Sequence, residues 1–305
     1  MKKRKRFYAL DGHSLIYRAF YAPMAELTSP SGEPTKGTYV FMQMLFDIIY
    51  GHQPEYLAIA LDGPKDKLLR RELYPPYKMG RSQEPKPEFK VQLVRITQIV
   101  KAMGIQVLMQ DEHEADDILA TIAYRFSSLD LEVRLVTRDK DLHQCVNDNV
   151  VIYDPIEREK LDAKDVERIW GVPPCQVSRV QALAGDPTDN IPGVKGVGKK
   201  KAVELLSQAG NLERFTVSHY RKTLPAWLQG AMKEVNIDLM HRLTELRRDV
   251  VIPELLEDYA YGKPDLRYAQ PIFDELGFRR WARGQKVQDE RDPSAAKKFR
   301  IGFFN

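Results

Sequence analysis

The stretch EHEADDILA (residues 112–120) places Glu114, Asp116 and Asp117 within four positions, directly ahead of an apolar run. Acids in a first turn interact favourably with the helix macrodipole and its unpaired N–H groups, so capping alone accounts for any one of them. Other carboxylates fall at comparable places. FYAL (7–10) runs into Asp11, YLAIAL (56–61) into Asp62, and VRLVT (133–137) into Arg138, Asp139, Lys140 and Asp141. One Asp after a strand is ordinary turn chemistry. Seven acids crowded at one edge are not, because closely packed carboxylates cannot all stay ionised without cations. Oxygen-only ligation without a Cys or His pattern points to Mg²⁺ or Mn²⁺ rather than zinc. The chemistry that calls for several carboxylates around hard cations is phosphoryl transfer, in which paired ions flank the attacking and leaving oxygens.

The elements that must position these acids are short apolar runs, with IQVLMQ (105–110) and VVIY (150–153) completing the set. They alternate with helical patterns at 37–50, 88–103 and 115–126. Continuous apolar strands between helices indicate an α/β fold, with a mostly parallel central sheet flanked by helices. In such sheets function gathers beyond the carboxyl ends of the strands, where these acids fall. Residues 114 and 117 share a helix face while 116 points away, so the group fans out rather than converging on one point.

A chain of 305 residues suggests roughly two domains. Its 43% hydrophobic and 30% charged content fits an ordinary soluble globular protein. No apolar run approaches the roughly 18 residues of a membrane span. The basic head of MKKRKRFYALDG is followed by an apolar stretch too short for a signal peptide, so a cytoplasmic, nucleoid-associated location is expected. Cys145 and Cys175 are far apart and read as structural thiols. The net charge is only +4. Setting nine clustered acids aside, however, leaves 47 basic residues against 34 acidic ones, a basic shell around an acidic pit that suits a phosphodiester.

In GDPTDNIPGVKGVGKKKAVELL (185–206), Gly193 to Lys199 fits part of a P-loop. Lys200 stands where Ser or Thr should hold magnesium, however, and no strand-like run precedes the loop. A helix–hairpin–helix is the better reading: QALAG (181–185) ends one helix, Gly193 to Gly198 turn, and KKKAVELL opens the next. Glycines let N–H groups approach a phosphate, and a helix N-terminus favours an anion. Lys195, Lys199, Lys200 and Lys201 add charge without base specificity. Residues 70–95, RRELYPPYKMGRSQEPKPEFKVQLVR, read either as a solvated crossover or as a segment over the acid pit that handles single-stranded nucleic acid.

The motifs LDGHSLIYRAF, LLRRELYPPYKMGR, HEADDILAT, TRDKDLHQ and GDPTDNIPGVKGVGKK occur in this order. Over residues 6–283 the chain resembles the 5′ nuclease or flap endonuclease family, and within it the N-terminal 5′–3′ exonuclease domain of bacterial DNA polymerase I. The resemblance implies a PIN-like α/β nuclease domain over 1–172 with a helical arch near 70–95. It implies a helix–hairpin–helix (H3TH) region over 173–283 and a polar tail over 284–305. It implies a metal-dependent hydrolase that removes 5′ flaps and 5′ ends of branched or duplex DNA, RNA primer strands included, in primer removal and repair. A monomer, two or more Mg²⁺ or Mn²⁺ ions, and a potassium ion at the hairpin belong to the same expectation. A separate DNA polymerase or a sliding clamp is compatible with it as a protein partner, although the spacing in the tail matches no clamp-docking motif.

By position, the resemblance makes Asp11, Asp62, Glu114, Asp116, Asp117, Asp139, Asp141, Asp186 and Asp189 the metal-binding cluster. Glu114, Asp116, Asp139 and Asp141 would lie nearest the ions, Asp11 and Asp62 would orient them, and Asp117, Asp186 and Asp189 would act from further out. Lys78 and Arg81 match the basic residues that engage the scissile phosphate, Arg70 a further phosphate contact, and Tyr77 the neighbouring aromatic. Gly193, Val194, Lys195, Gly196, Gly198, Lys199 and Lys200 fall in the hairpin that grips the duplex. The family usually has Gly where Arg138 stands, which questions the placement of Asp139 and Asp141. His13 reads as structural or substrate-adjacent rather than as a base. No polymerase domain follows, so a stand-alone nuclease is expected. The competing readings are a branched-DNA-binding protein without catalysis, and a P-loop nucleotidase that would depend on Lys199.

Overall fold

The computed structural model describes residues 4–80, 85–127, 131–210, 212–262 and 264–282. Six strands form one sheet: β1 (Arg6–Asp11), β2 (Tyr56–Leu61), β3 (Gln106–Met109), β4 (Glu132–Val136), β5 (Val150–Asp154) and β6 (Glu159–Leu161). Their order is β3-β2-β1-β4-β5-β6, parallel throughout except for the antiparallel β5–β6 pair. Leu10 lies opposite Ile59 on one side of β1 and opposite Val136 on the other. The chain winds outward in both directions from β1, which makes its carboxyl end the switch point where a crevice forms.

Successive side chains of a strand point to opposite faces, and β1 serves two cores in this way. Phe7 and Ala9 belong to one buried cluster, Tyr8 and Leu10 to the other. On the Tyr8 side lie α1 (Gly12–Phe20), α2 (Lys36–His52) and, beyond α3 (Leu69–Leu73), α4 (Pro87–Ala102). The last described residues join this core, with Trp281 stacked on Tyr39 of α2. On the Phe7 side lies α5 (Ala115–Phe126). Its N-terminus is fixed by Glu114, whose backbone N–H donates to Asp117 Oδ2 at 3.4 Å, so the expected capping role is present.

After α6 (Ala163–Trp170), the second region extends the same core. There α7 (Val177–Ala184) and α8 (Lys199–Ala209) are joined by the hairpin, and the helix Ile237–Thr244 packs against α7. The hairpin begins with Asp186 and Ile191 exchanging backbone hydrogen bonds rather than with a strand entering a phosphate loop, which removes the P-loop reading. Among the described residues no helix is long and apolar enough to cross a membrane. Arg81 and the tail 284–305 lie outside the described residues, as do the first three residues of the basic head.

Gly193 adopts φ +62°, and a Cβ there would lie 2.2 Å from the backbone nitrogen of Gly185. The glycine is therefore required by contact with the end of α7, not by approach to a phosphate. We expect Gly193→Ala to destabilise the fold by about 1–3 kcal/mol, measured as a lower urea midpoint at unchanged slope.

Candidate active site

The nine carboxylates divide by the company they keep. Glu114, 5% exposed, accepts from Arg70 Nη1 at 3.0 Å, from Lys78 Nζ at 2.5 Å and lies 2.9 Å from the Tyr77 hydroxyl. Asp117 receives a two-pronged contact from Arg70, at 2.6 and 2.7 Å, and the Arg247 backbone N–H at 2.9 Å. Arg70 also donates to the Leu243 and Glu245 carbonyls, each at 3.0 Å, so all five N–H groups of the guanidinium are engaged within the protein. Asp189 lies 3.1 Å from the Tyr77 hydroxyl and 3.5 Å from Lys78 Nζ. Asp186 pairs with Lys140 at 2.7 Å. These four acids have cations or donors of the protein's own.

The other five have no Lys or Arg ion-paired to them among the described residues. Asp11 accepts from the Ser14 backbone N–H at 3.0 Å and from Thr137 Oγ1 at 2.8 Å. Asp62 accepts from the Ala115 N–H at 2.8 Å. Asp139 accepts from the Asp141 N–H at 2.9 Å, and Asp141 from Gln181 Nε2 at 2.5 Å. Asp116 has no hydrogen-bond donor among the described residues. Burial and the facing charges of Asp139 and Asp11 hold its carboxyl well above the usual aspartate range. Burial, together with Asp62 and Asp139, pushes Asp11 up to about 7. Burial and Asp139 do the same for Asp141, again to about 7. Glu114 goes the other way: burial would raise it, but Lys78 and Arg70 outweigh burial and lower it to about 2. Two acids two residues apart in one motif therefore have opposite electrostatics.

Among the described residues no three His, Cys, Asp or Glu side chains stand in ligating geometry around one point. The acids fan out, as their positions on α5 and the strand ends imply. Such a set fits hard cations that keep part of their water shell and need only one or two direct carboxylates each.

Several expectations change. Arg70 is 7% exposed with every donor engaged, and Tyr77 is 2% exposed, so neither is placed to meet a phosphate or a base. They fix the acids instead. Tyr77, pushed well above its ordinary range by burial and Glu114, stays protonated. Lys78 reaches the acid cluster, with Nζ against Glu114 and nearer to it than to Asp189. Its backbone adopts φ +53° while its N–H donates to the Asp189 carbonyl at 3.0 Å. Burial would lower its pKa, but Glu114 raises it well above the ordinary range, so the ammonium stays charged.

In the hairpin, Val194 is buried and its N–H donates to the Leu183 carbonyl at 2.7 Å, which removes it as a phosphate donor. Lys199 Nζ turns back to the Ile169 carbonyl at 2.6 Å. Lys195, Lys200 and Gly198 are exposed at the turn and at the start of α8, and Gly196 is exposed beside them. Arg138 is not among the non-glycine residues with positive φ, so the position needs no glycine. Its guanidinium pairs with Asp154 at 2.8 Å. His13 accepts the Asp62 N–H on Nδ1 at 2.9 Å, which leaves that nitrogen unsuited to abstract a proton.

Sequence reasoning passed over three contributors. Thr137 donates its hydroxyl proton to Asp11 while accepting the Asp139 N–H at 2.9 Å, Gln181 reaches Asp141 from α7, and Lys140 neutralises Asp186. Lys140 lies inside the TRDKD run and was open to inspection. Nothing local marks Gln181.

Residues 6–171 match the family described as 5′-3′ exonuclease, N-terminal resolvase-like domain, and residues 172–267 match 5′-3′ exonuclease, C-terminal SAM fold. A 5′-3′ exonuclease of Aquifex aeolicus is 35% identical over 274 residues, covering 89% of this chain and 92% of that protein. DNA polymerase I of Bacillus caldotenax is 32% identical over 288 residues, covering 90% of this chain but only 32% of the polymerase. The bacteriophage T5 5′-exonuclease with bound zinc superimposes with a TM-score of 0.64 at 21% identity, covering 79% of this chain and 88% of that one. The catalytic core of Rad2 in complex with DNA substrate gives 0.58 at 16% identity, covering 98% and 91%. These two likenesses are of fold.

Replacing Arg70 by Met would strand two buried carboxylates. We expect a loss of about 3–5 kcal/mol in denaturant unfolding, with Arg70→Lys in between because an ammonium lacks the fork. For the metal-free protein, Asp11 and Asp141 keep protons in the folded state up to about pH 7, whereas the unfolded chain releases them near pH ~4. The folded state thus binds more protons across that window, and stability falls as pH rises through it. Glu114 has the opposite sign: its contribution is lost as pH falls toward 2. Thermal melting in chelator should therefore peak between about pH 4 and 5 and decline toward 7. A flat profile across that range would contradict the placement of these acids.

Proposed function

The chain belongs to the 5′–3′ exonuclease family, and on that footing we propose that it hydrolyses phosphodiester bonds at 5′ ends and 5′ flaps of branched DNA, with divalent cations held by the five carboxylates that have no Lys or Arg ion-paired to them among the described residues. The family makes it a nuclease; the substrate geometry and the residue roles are our reading. The observation that carries it is the division of the nine acids. A protein that only bound junctions would have no use for Asp11, Asp62, Asp116, Asp139 and Asp141 facing one another with no Lys or Arg paired to them among the described residues.

An all-oxygen, fanned-out set suits Mg²⁺ or Mn²⁺, with Asp186 available to a further ion if Lys140 moves aside. Held by these residues, paired ions would supply a low-pKa water and offset charge on the attacking and leaving oxygens. The chain's own contributions follow from the geometry. Lys78, permanently charged, offsets negative charge on the scissile phosphate. Arg70 and Tyr77 hold Glu114 and keep Lys78 aimed. Asp117 locks the start of α5, which carries Asp116 into the crevice. Arg81 and a helical arch over the pit remain part of the proposal from the motif alone.

The hairpin grips the duplex portion through Lys195, Lys200 and the start of α8, in a sequence-independent way, with a potassium ion at its carbonyls as the matching refinement. The nuclease domain is taken as 1–172 and the duplex-binding region as 173–283. Primer removal and repair, acting as a monomer beside a separate polymerase, is the corresponding role. RNA 5′ strands are included as substrates.

The test is cleavage of a 5′-flap duplex labelled at its 5′ end, in Mg²⁺ and in EDTA. We expect metal-dependent release of short labelled fragments, reduced about hundredfold or more by Asp116→Ala with flap binding retained. Tight flap binding without cleavage in either Mg²⁺ or Mn²⁺ would leave the non-catalytic junction binder as the answer.

A further inference from the structure

Two indole rings flank the start of α8, and each carries one lysine of the hairpin. Lys199 Nζ lies 4.6 Å from the centroid of Trp170, which is 8% exposed and donates Nε1–H to His143 Nδ1 at 2.9 Å. Lys201 Nζ lies 4.2 Å from the centroid of Trp227, on the helix Ala226–Lys233. Trp227 differs from Trp170 in being 47% exposed. It also stands against the hairpin turn: a Cβ on Gly196 would lie 3.5 Å from the Trp227 ring. A half-exposed aromatic thus borders both the turn and a lysine.

Consecutive helix positions project about 100° apart, so Lys199, Lys200 and Lys201 would leave α8 in three directions. Lys199 is tied back by the Ile169 carbonyl. Lys201 makes no carboxylate pair among the described residues, and its described partner is the indole. An ammonium over a ring keeps N–H groups free to donate elsewhere, unlike one committed to a carboxylate.

We propose that Trp227 is a positioning residue of the duplex grip, holding Lys201 beside the hairpin turn so that its ammonium joins Lys195 and Lys200 on the phosphate backbone of duplex DNA. The inference rests on the hairpin reading given under the proposed function. It adds a wall to the hairpin, supplied by a helix that follows α8 in the chain. The indole edge left exposed borders the path of the phosphates and becomes shielded when duplex is bound.

The experiment measures binding of a blunt DNA duplex to the full chain in EDTA by fluorescence anisotropy, across a salt series. The proteins are wild type, Trp227→Ala, Trp227→Phe, Lys201→Gln, the Trp227→Ala/Lys201→Gln pair, and Lys200→Gln. Trp227→Ala should weaken binding about three-fold and flatten the salt dependence by about one phosphate contact. Trp227→Phe, which keeps a ring under Lys201, should restore most of both. The paired variant should bind no more weakly than Lys201→Gln alone. Lys200→Gln should weaken binding independently, and duplex should protect the tryptophan emission of the wild type from iodide quenching.

If Lys200→Gln weakens binding while Trp227→Ala leaves affinity and salt slope unchanged, the positioning role is wrong and the hairpin reading stands. If Trp227→Ala weakens binding without altering the slope, or Phe fails to rescue, the ring acts through the fold and the proposal fails. If no variant alters duplex binding, the hairpin reading and this inference fall together.

Discussion

One guanidinium ties the molecule together. Arg70 leaves a short helix between β2 and α4, is buried, and distributes five N–H groups over two carboxylates at the start of α5 and two carbonyls at the end of the helix Ile237–Thr244. A buried charge is tolerable only when its pairing is complete, and here it is. The carbonyls it accepts into the network are those that a helix C-terminus leaves without intrahelical partners. The sheet region and the helical region are therefore joined at a point where each would otherwise carry an unmet polar demand. Gln181 makes a second join of the same kind, from α7 to Asp141.

The neutralisation is selective, and the selectivity gives the crevice its character. Arg70, Lys78 and Lys140 satisfy Glu114, Asp117, Asp186 and, more distantly, Asp189. No lysine or arginine among the described residues pairs with Asp116, although it lies between Glu114 and Asp117 in the chain. The folded protein thus holds a group of mutually repelling carboxylates whose energy is lowered either by protons or by added cations. Acids with protein partners thus stand beside acids that have no paired Lys or Arg among the described residues, and under the proposed function the second set takes the ions.

Much of this was legible in the sequence, and what was not has identifiable causes. Strand ends could be placed because a buried parallel strand is a short apolar run, and Asp11 and Asp62 follow such runs directly, with Asp139 two positions beyond another. The 5′–3′ exonuclease likeness was legible in the ordered motifs. Burial of Arg70 and Tyr77 was not, because a basic, proline-rich segment reads as solvated and their partners lie 37 to 175 positions away. Gly193 and Val194 looked like phosphate-binding residues, since a glycine needed for backbone contact has the same letter as one needed for a ligand. Arg138 looked strained where relatives place glycine. An ordinary backbone conformation and a partner in Asp154, on the next strand, account for it.

The parallel ladder has a consequence for how the crevice responds to its contents. Asp11 ends β1, Asp62 follows the end of its neighbour β2, and Asp139 comes three residues after its other neighbour, β4. Hydrogen bonding fixes adjacent strands about 4.8 Å apart. The sheet is therefore a ruler for the first two: the spacing between the strands that lead into Asp11 and Asp62 is a lattice constant, not an adjustable jaw, while Asp139 is carried past it by the turn after β4. Under the proposed function, what distinguishes one strand end of nucleic acid from another is read by segments off the ruler, and its divisions set only where the acids begin.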